Sequence, residues 1–237
     1  MSDERAIEVV VAAPADTAWR ALRDPAEIRR WFGWEYDGLD AEIEGIFLDQ
    51  AEASEQDRAI RWSHGDRFEL EPRGPETVVR VTRAAQNGWD EIYEGWLTFA
   101  QQLGFALSRH PGEDRRTLYL SGEPPADGSS PPLAVLDLRE SASTPVGHRY
   151  EGRTAFGEEV AGEVWFRSEH QTGLTVDGYG DGLLVLAEQP AAARPPAGGH
   201  TALITTYGLD DAALRALRDR WTGWWTATYR EPSVTGG

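Results

Sequence analysis

Three carboxylates stand at the start of a long helical pattern, where acid–base chemistry would be simplest to arrange. Asp90, Glu91 and Glu94 open a run in which apolar residues recur at three- and four-residue steps. The helix dipole stabilises negative charge at this end, and aspartate is a favoured N-cap residue. We therefore expect these side chains to cap and stabilise the helix rather than to transfer protons.

Two glutamates and two arginines lie in the strand patterns before that helix. Glu69 and Glu71 alternate with apolar residues, which predicts that they face solvent. Arg67 or Arg80 could point inward and bind a carboxylate of a ligand. Their spacing does not decide which face of the sheet they occupy.

Metal chemistry has little support in the sequence. The five histidines are His64, His110, His148, His170 and His200, and no two have the spacing of a helical metal site. The absence of cysteine excludes disulfides, thiolate-bound zinc, iron–sulfur clusters and thiol nucleophiles. We expect surface or turn positions for the histidines, no metal site and no cofactor.

Nucleophile and phosphate motifs are also missing. No Gly-x-Ser-x-Gly sequence occurs, so the nucleophile turn of a hydrolase is not indicated. Residues 178–182, Gly-Tyr-Gly-Asp-Gly, lack the lysine and the following helix of a phosphate-binding loop. They lie between two strand patterns, which predicts a hairpin turn. The sequence thus assigns no catalytic residue and favours a protein without enzymatic activity.

Apolar residues offer a stronger candidate for a functional site. The candidate pocket residues are Trp31, Phe32, Trp62, Phe68, Trp96, Phe99 and Leu103. Rigid rings of this kind can line a cavity for a flat or long apolar ligand. Protein interiors are also densely packed by such rings, so the same set is consistent with a filled core. The residues alone leave both alternatives open.

The charge of the chain limits its partners. The 237 residues carry a formal net charge of −17, and every basic residue is arginine. Such an acidic chain is repelled by nucleic acid and by anionic lipid, so neither is an expected partner. No stretch approaches the ~18 apolar residues that span a bilayer, and the acidic residues 1–5 do not resemble a signal peptide. We therefore expect a soluble cytoplasmic protein.

The first half begins with a strand and two short helices. Residues 6–12 are rich in valine and isoleucine and predict a strand that ends at Pro14. A helix follows and stops before Asp24 and Pro25, which form the N-cap and first residue of a second helix.

A meander and a long helix complete this half. Residues 34–82 show short alternating runs that include Ile43 and Phe47, and these runs predict antiparallel strands. Residues 90–109 predict a long helix, because apolar residues recur with a period of 3.6. The stripe consists of Ile92, Trp96, Phe99, Leu103 and Ala106.

The second half repeats this order in part, about 125 residues later, as a duplicated domain would. Five strand-like runs precede a last helix at residues 211–229. Its Trp221, Trp224 and Trp225 either anchor the helix on a second sheet, the interpretation we favour, or expose an aromatic patch to a partner.

Domain boundaries follow from composition. Residues 123–132 consist almost wholly of proline, glycine, serine and acidic residues, which predicts a linker. We therefore predict a first domain at residues 1–122. Residues 133–237 form a partial repeat, because no counterpart of the opening strand and two short helices is evident there.

A string of short motifs carries a family resemblance. It runs from the Trp-x-Ala-Leu sequence at 19–22, through Asp-Pro at 24–25 and Arg-Trp-Phe-Gly at 30–33, to Arg-Phe-Glu-Leu at 67–70. With these motifs residues 6–110 resemble the bacterial proteins that are similar to the activator of the heat-shock protein ATPase, within the START-like (SRPBCC) superfamily. The second half is similar only in its late strands and terminal helix.

The resemblance implies an α+β helix-grip fold, in which a curved antiparallel sheet wraps a long C-terminal helix above an apolar cavity. It further implies a carrier or sensor that binds a small apolar molecule, such as a lipid or polyketide, without catalysis. The seven candidate residues would then line the pocket. Two alternatives stay open: a pocket enzyme of the polyketide cyclase or aromatase kind, and a chaperone-associated regulator that acts through a protein partner or as a homodimer.

Overall fold

The structure is a computed structural model that describes residues 4–124 and 130–231. The chain divides into two compact units, Met1–Asp114 and Arg115–Gly237. Each unit contains one antiparallel sheet and one long helix at its C-terminal end. In the described ranges, no helix combines the length and the hydrophobicity needed to span a bilayer.

The first unit is a five-stranded meander followed by a long helix. In chain order it contains β1 (Glu4–Val11), α1 (Ala15–Arg23), α2 (Pro25–Ile28), α3 (Leu39–Ile43), a π-helical turn (Glu44–Asp49), β2 (Ala51–Ser54), β3 (Ala59–Trp62), β4 (Arg67–Arg73), β5 (Glu76–Ala84) and α4 (Glu91–Arg109). The strand order is β1-β5-β4-β3-β2. The opening strand therefore lies beside the last strand, and α4 returns across the sheet to pack on it.

Local sequence explains the ends of these elements. Val9 and Val11 of β1 are buried, as the alternation predicts, and they pair with β5. Asp24 accepts a hydrogen bond from Ala26 N and thereby caps α2, whose first residue is Pro25. Asp90 caps α4 in the same way. These predicted features are confirmed.

The segment before β2 differs from the prediction. Ile43 and Phe47, predicted to belong to a strand meander, lie in α3 and in the π-helical turn that follows it. With Leu39 they form a series at four-residue spacing, and all three are buried. Four-residue spacing places side chains on one helical face, so burial of that face decides between helix and strand here.

The second unit repeats the outline of the first, with an opening strand, short helical elements, a meander and a long helix, but its sheet has six strands instead of five. It contains β6 (Arg115–Gly122), α5 (Pro132–Val135), a 3-10 turn (Arg139–Ala142), β7 (Arg149–Arg153), β8 (Glu159–Arg167), β9 (Gln171–Val176), a second 3-10 turn (Asp177–Tyr179), β10 (Gly182–Gln189), β11 (Gly199–Tyr207) and α6 (Asp211–Thr228). The strand order is β6-β11-β10-β9-β8-β7. Both units thus combine one antiparallel sheet with a long C-terminal helix, and the predicted α+β fold with a second repeat is confirmed.

The second repeat has more elements than the partial one predicted. β6 pairs with β11 along its whole length, so the strand belongs to the second unit, although the predicted first domain at residues 1–122 includes it. The short helical elements after β6 supply the counterparts of α1 and α2. Pairing between strands so far apart in the chain leaves no local signal, which is why composition places the boundary too late.

The predicted linker, residues 123–132, is also partly structured. Glu123 forms an antiparallel bridge with Arg230, and Pro132 begins α5. Residues 125–129 of this segment lie outside the described residues. The glycine-rich turn at 178–182 joins β9 to β10, as predicted, with Gly180 in the left-handed region at a φ of 72°.

Helix α4 approaches β1 closely at a glycine. A Cβ atom built on Gly104 would lie 2.4 Å from Val9 Cγ1, whereas one built on Gly95 of the same helix would lie 3.9 Å from Phe99. Alanine normally stabilises a helix relative to glycine by about 1 kcal/mol. Contact with β1 therefore makes alanine less favourable than glycine at position 104, whereas alanine stays the more favourable residue at position 95.

We expect Gly104→Ala to lower the free energy of unfolding by about 1–3 kcal/mol, because β-branched Val9 cannot move aside without strain. Gly95→Ala serves as the matched control and should raise stability. Urea denaturation of both variants and of the double variant Val9→Ala/Gly104→Ala measures the coupling between the two sites. Equal stabilisation by both alanines would show that the close approach is absent.

Candidate functional site

The six aromatic candidate pocket residues come together inside the first unit, and Leu103 is buried in the same unit. Of the seven candidates, six are buried and one is half-buried: Trp31, Phe32, Trp62, Phe68, Trp96 and Leu103 are buried, and Phe99 is half-buried. The ring centroids of Phe32 and Phe99 lie 4.8 Å apart, and those of Phe68 and Trp96 lie 4.9 Å apart. The turn after α2, helix α4 and the inner face of the sheet thus share one aromatic cluster.

Phe47 is the member of this cluster that the sequence analysis missed. It is fully buried, and its ring meets Phe32 at 5.0 Å and Trp31 at 5.6 Å between centroids. It also meets Trp62 at 6.0 Å and Trp96 at 6.1 Å, with the ring planes nearly perpendicular. Edge-to-face packing of this kind favours one arrangement of the rings. The four-residue spacing from Ile43 is the signal that could have found it.

The indole N–H groups fix the orientation of three tryptophans. Trp31 donates to Ala21 O and Trp62 donates to Ile46 O, each at 2.8 Å. Trp96 differs, because its Nε1 donates to a carboxylate oxygen of Asp66 at 2.9 Å. The aromatic cluster therefore ends, on the side of Trp96, in a charged group.

Asp66 belongs to a buried charge network that we define as Asp66, Arg83 and Asp90. Arg83 Nη1 donates to both oxygens of Asp66, at 2.7 and 2.9 Å, and Arg83 Nε donates to Asp90 Oδ2 at 2.9 Å. The three residues are 1%, 7% and 5% exposed. His64 Nε2, on a half-exposed side chain, lies 3.2 Å from Asp66 Oδ2. The network thus joins the turn before β4, the end of β5 and the start of α4.

Two opposing effects act on the Arg83 guanidinium. Burial alone lowers its pKa, but hydrogen bonds and charge from Asp90 and Asp66 outweigh burial and raise the pKa above its ordinary value. When an ion pair is buried, the free energy lost with its hydration is nearly as large as the free energy gained from the attraction between the charges. The network therefore holds its members in place while contributing little net stability.

The two arginines considered in the sequence analysis lie elsewhere. Arg67 forms ion pairs with Glu4 and Glu69, and Arg80 pairs with Glu8 at the sheet surface. The buried arginine is Arg83, at the end of the inward series of β5 that contains Val79 and Val81.

The second unit has its own polar chain beneath α6. Trp221 Nε1 donates to the hydroxyl of Tyr179 at 2.8 Å, and that hydroxyl donates to Glu158 Oε2 at 3.0 Å. Burial, and then the Glu158 carboxylate, raise the pKa of Tyr179 above its usual range. Arg220 completes the chain by donating to Glu158 Oε1 at 2.9 Å. This network links α6 to the turn between β7 and β8.

The tryptophans of α6 mainly anchor the helix. Trp221 and Trp225 are buried in the core of the second unit, and Trp224 is half-buried against the ring of Phe156 at 5.4 Å. The sequence pattern pairs Trp221 with Trp224 on the apolar face, whereas the structure buries Trp225 most fully after Trp221. Tyr229 stacks on Trp225 at a centroid distance of 4.0 Å, which explains its burial.

Two histidines depart from the surface positions predicted for all five. His110 and His200 are 8% and 5% exposed, whereas His64 and His148 are exposed and His170 is half-buried. His200 Nδ1 lies 3.3 Å from the Tyr229 hydroxyl. Burial lowers the pKa of His200 to about 4, so the ring is neutral near pH 7.

Metal-binding geometry is not present in the part of the chain that the structure describes. No three histidine, aspartate or glutamate side chains of residues 4–124 and 130–231 are grouped so that they could hold an ion. The charge network offers two carboxylates, but Arg83 occupies the position between them.

Comparisons with known proteins extend over both units. No family model and no curated protein matches the sequence. The chain is similar to DynU16, a protein in the dynemicin biosynthetic locus, with 20% identity over 96% of both chains and a TM-score of 0.32. It is also similar to StfQ, a di-domain ARO/CYC from the steffimycin biosynthetic pathway, with 11% identity over 94% of both chains and a TM-score of 0.34.

A third solved structure is the AHSA1-like protein from Aeromonas hydrophila. It shares 10% identity over 95% of this chain and 93% of its own, with a TM-score of 0.22. The fold assignment rests on the two sheets and their helices, and these likenesses assign neither a ligand nor an activity to the chain.

We expect Arg83→Met to lower the free energy of unfolding by about 3 kcal/mol, because two buried carboxylates lose their cation. Adding Asp66→Asn and Asp90→Asn should restore part of the loss, since asparagine removes the charge and still caps α4. Urea denaturation measures both variants. Arg149→Met breaks an exposed pair with Asp177 and should have little effect. If the triple variant is no more stable than Arg83→Met, unpaired buried charge on Asp66 and Asp90 is not the cause of the lost stability, which contradicts the prediction.

His200 should make stability depend on pH. Unfolded histidine binds a proton below its ordinary pKa of 6.5, whereas His200 in the folded protein does so only near pH 4. The stabilisation, on the order of 3 kcal/mol, is complete above pH 6.5 and is lost as the pH falls towards 4.

Denaturation between pH 7 and pH 4 tests this dependence. His200→Gln should lose less stability over this range than the wild type does. His148→Gln, at an exposed position, is the matched control and should follow the wild type. If the free energy of unfolding depends on pH in the same way for the wild type, His200→Gln and His148→Gln, burial does not hold His200 neutral.

Proposed function

We propose that this two-unit START-like chain binds a small apolar ligand, lipid or polyketide-like, against the aromatic cluster of its first unit. The proposal makes the protein a carrier or sensor without catalysis. The observation that carries it is the arrangement of the site: an aromatic cluster inside a sheet–helix fold that ends in one buried charge network. Ligand sites in proteins have this composition, an apolar lining with a few fixed polar groups.

The cost of the charge network supports a functional role. Asp66, Arg83 and Asp90 are each more than nine-tenths buried, and apolar residues in their place would stabilise a core equally well or better. A fixed set of polar groups at the end of an apolar surface can instead orient a ligand. Trp96 joins the two parts, because its ring packs in the cluster while its N–H binds Asp66.

Phe99 marks the side from which a ligand can reach the cluster. Its ring packs on Phe32 at 4.8 Å and approaches Trp96 at 6.4 Å between centroids, yet the side chain is only half-buried. A ligand that enters beside Phe99 replaces ring–ring contacts with ring–ligand contacts of the same kind. The binding site of the proposal therefore comprises the seven residues of the sequence analysis together with Phe47.

We expect the neutral fluorescent probe N-phenyl-1-naphthylamine to bind saturably, and Phe99→Glu to weaken its affinity at least tenfold. A carboxylate beside the cluster resists the loss of hydration that an apolar ligand imposes. Fluorescence titration measures the dissociation constants.

Phe156→Glu in the second unit is the matched control. It adds the same charge at another half-buried phenylalanine, which packs on Trp221 and Trp224. This variant should leave the affinity for the probe unchanged. Thermal unfolding checks that both variants are folded. Absence of saturable binding by the wild type, or loss of binding only in Phe156→Glu, contradicts the proposed site.

A further inference from the structure

Residues 44–58 of the first unit, which we define as the strap, have little apolar contact with the rest of the fold. The strap consists of the π-helical turn, β2 and the turn before β3. The structure describes every residue of the strap, and Phe47 is the only one of them that is buried. Among the described strands, β2 lies at the edge of its sheet and pairs with β3 alone. Segments with few buried apolar contacts open at a lower free energy than the whole protein unfolds.

Two side chains from outside the strap hold its backbone beside Phe47. Arg23 Nη1, at the end of α1, donates to Phe47 O at 2.6 Å, and Trp62 Nε1 donates to Ile46 O at 2.8 Å. Both carbonyls belong to the last turn of a helical segment, where carbonyl oxygens lack an intrahelical donor. The position of this part of the strap therefore depends on two side-chain hydrogen bonds.

Exposed groups fasten the other end of the strap to α1. Trp19 Nε1 donates to Glu55 Oε2 at 2.8 Å. Arg58 lies over the ring of Trp19, 5.7 Å from its centroid, and forms an ion pair with Asp16. The carboxylate side chains of Glu55 and Asp16 are 78% and 86% exposed, so contacts made by these groups contribute little to stability. We call these contacts to α1 the latch.

Phe47 connects the strap to the aromatic cluster. Its ring meets that of Phe32 at 5.0 Å between centroids, and Phe32 in turn meets Phe99 at 4.8 Å. The same ring packs edge-to-face against Trp31 and Trp62. When Phe47 leaves the cluster, these rings lose a packing partner and become accessible from the side of the strap.

We propose that the strap opens as one segment while the rest of the first unit stays folded, and that this motion carries Phe47 out of the aromatic cluster. The structure shows the closed state. The latch on α1 holds the strap closed, and its release controls when the cluster is accessible. The motion belongs to the chain without a ligand, so it does not depend on the proposed function.

Hydrogen–deuterium exchange of the full chain, read by mass spectrometry of its peptides, tests the proposal. We expect amides of the strap to exchange through local opening, so that low concentrations of urea hardly change their rate. Amides of β5, at the centre of the fold, should exchange through global unfolding at a rate that rises with urea. If the strap exchanges with the same urea dependence as β5, the proposal is overturned.

Variants of the latch test what holds the strap closed. Asp16→Ala/Glu55→Ala removes both exposed carboxylates and should speed exchange of the strap about fivefold, since two contacts of ordinary surface strength are lost. Exchange of β5 should stay unchanged. Glu52→Ala is the matched control, because it removes an exposed carboxylate from β2 within the strap. If the double variant exchanges the strap no faster than Glu52→Ala does, the latch does not hold it closed.

Gly45→Ala should act in the opposite direction. A Cβ atom at this position would lie 3.9 Å from Gln50 Nε2, an ordinary contact, so the closed strap accommodates alanine. Alanine has fewer conformations than glycine in the open segment, so exchange of the strap should slow by a factor of about two to five. Faster exchange in Gly45→Ala would contradict a closed state with a helical turn at this position. Circular dichroism checks that all variants are folded.

Binding of N-phenyl-1-naphthylamine separates the strap from the proposed function. Local opening of the strap without saturable binding of the probe overturns the proposed function and leaves the strap intact. Saturable binding together with exchange of the strap only through global unfolding overturns the strap and leaves the proposed function intact.

Discussion

The buried ion pairs of Arg83 with Asp66 and Asp90 are the constraint that positions α4 against the sheet of the first unit. They connect a turn, a strand end and a helix N-terminus that lie apart in the chain, and they do so with charge-assisted hydrogen bonds of 2.7–2.9 Å. Asp90 also caps α4. The same contacts therefore fix where α4 begins and where Trp96, about one and a half turns further along, enters the aromatic cluster.

Both units arrange their first strand, last strand and long helix in the same way. The opening strand, β1 or β6, pairs with the last strand, β5 or β11, and therefore lies beside the strand that precedes the long helix. The helix then covers the inner face of its own sheet with aromatic side chains. The polar groups differ between the units: the first uses a buried aspartate–arginine network, and the second uses the hydroxyl of Tyr179 between Trp221 and Glu158.

Much of the fold follows from local pattern, and the errors have physical causes. The valines of β1, the Asp24-Pro25 start of α2 and the aromatic stripe of α4 have periodicities that short segments reveal, although Ile92, the first residue of that stripe, is 51% exposed at the helix start. β6 could not be assigned from composition, because its partner β11 lies at the far end of the unit.

The site was predictable in its apolar part and not in its polar part. The six aromatic candidates share one cluster, and Leu103 is buried in the same unit, because burial follows hydrophobicity. Phe47 is missed because its segment is ambiguous between helix and strand. Val79, Val81 and Arg83 are spaced two residues apart in β5, so strand alternation places Arg83 on the same inner face as the two valines. Its burial depends on Asp66 and Asp90, which only the tertiary fold brings to it. The neutral state of His200 depends likewise on long-range burial.

The central claim is that the aromatic cluster of the first unit accepts an apolar ligand. A crystal structure of the protein grown with N-phenyl-1-naphthylamine tests it most directly. We expect the naphthalene ring to lie against Trp96 and Phe99. Well-defined rings of the cluster packed as they are here, with the ligand absent or bound elsewhere, would contradict the claim and identify the cluster as a filled core.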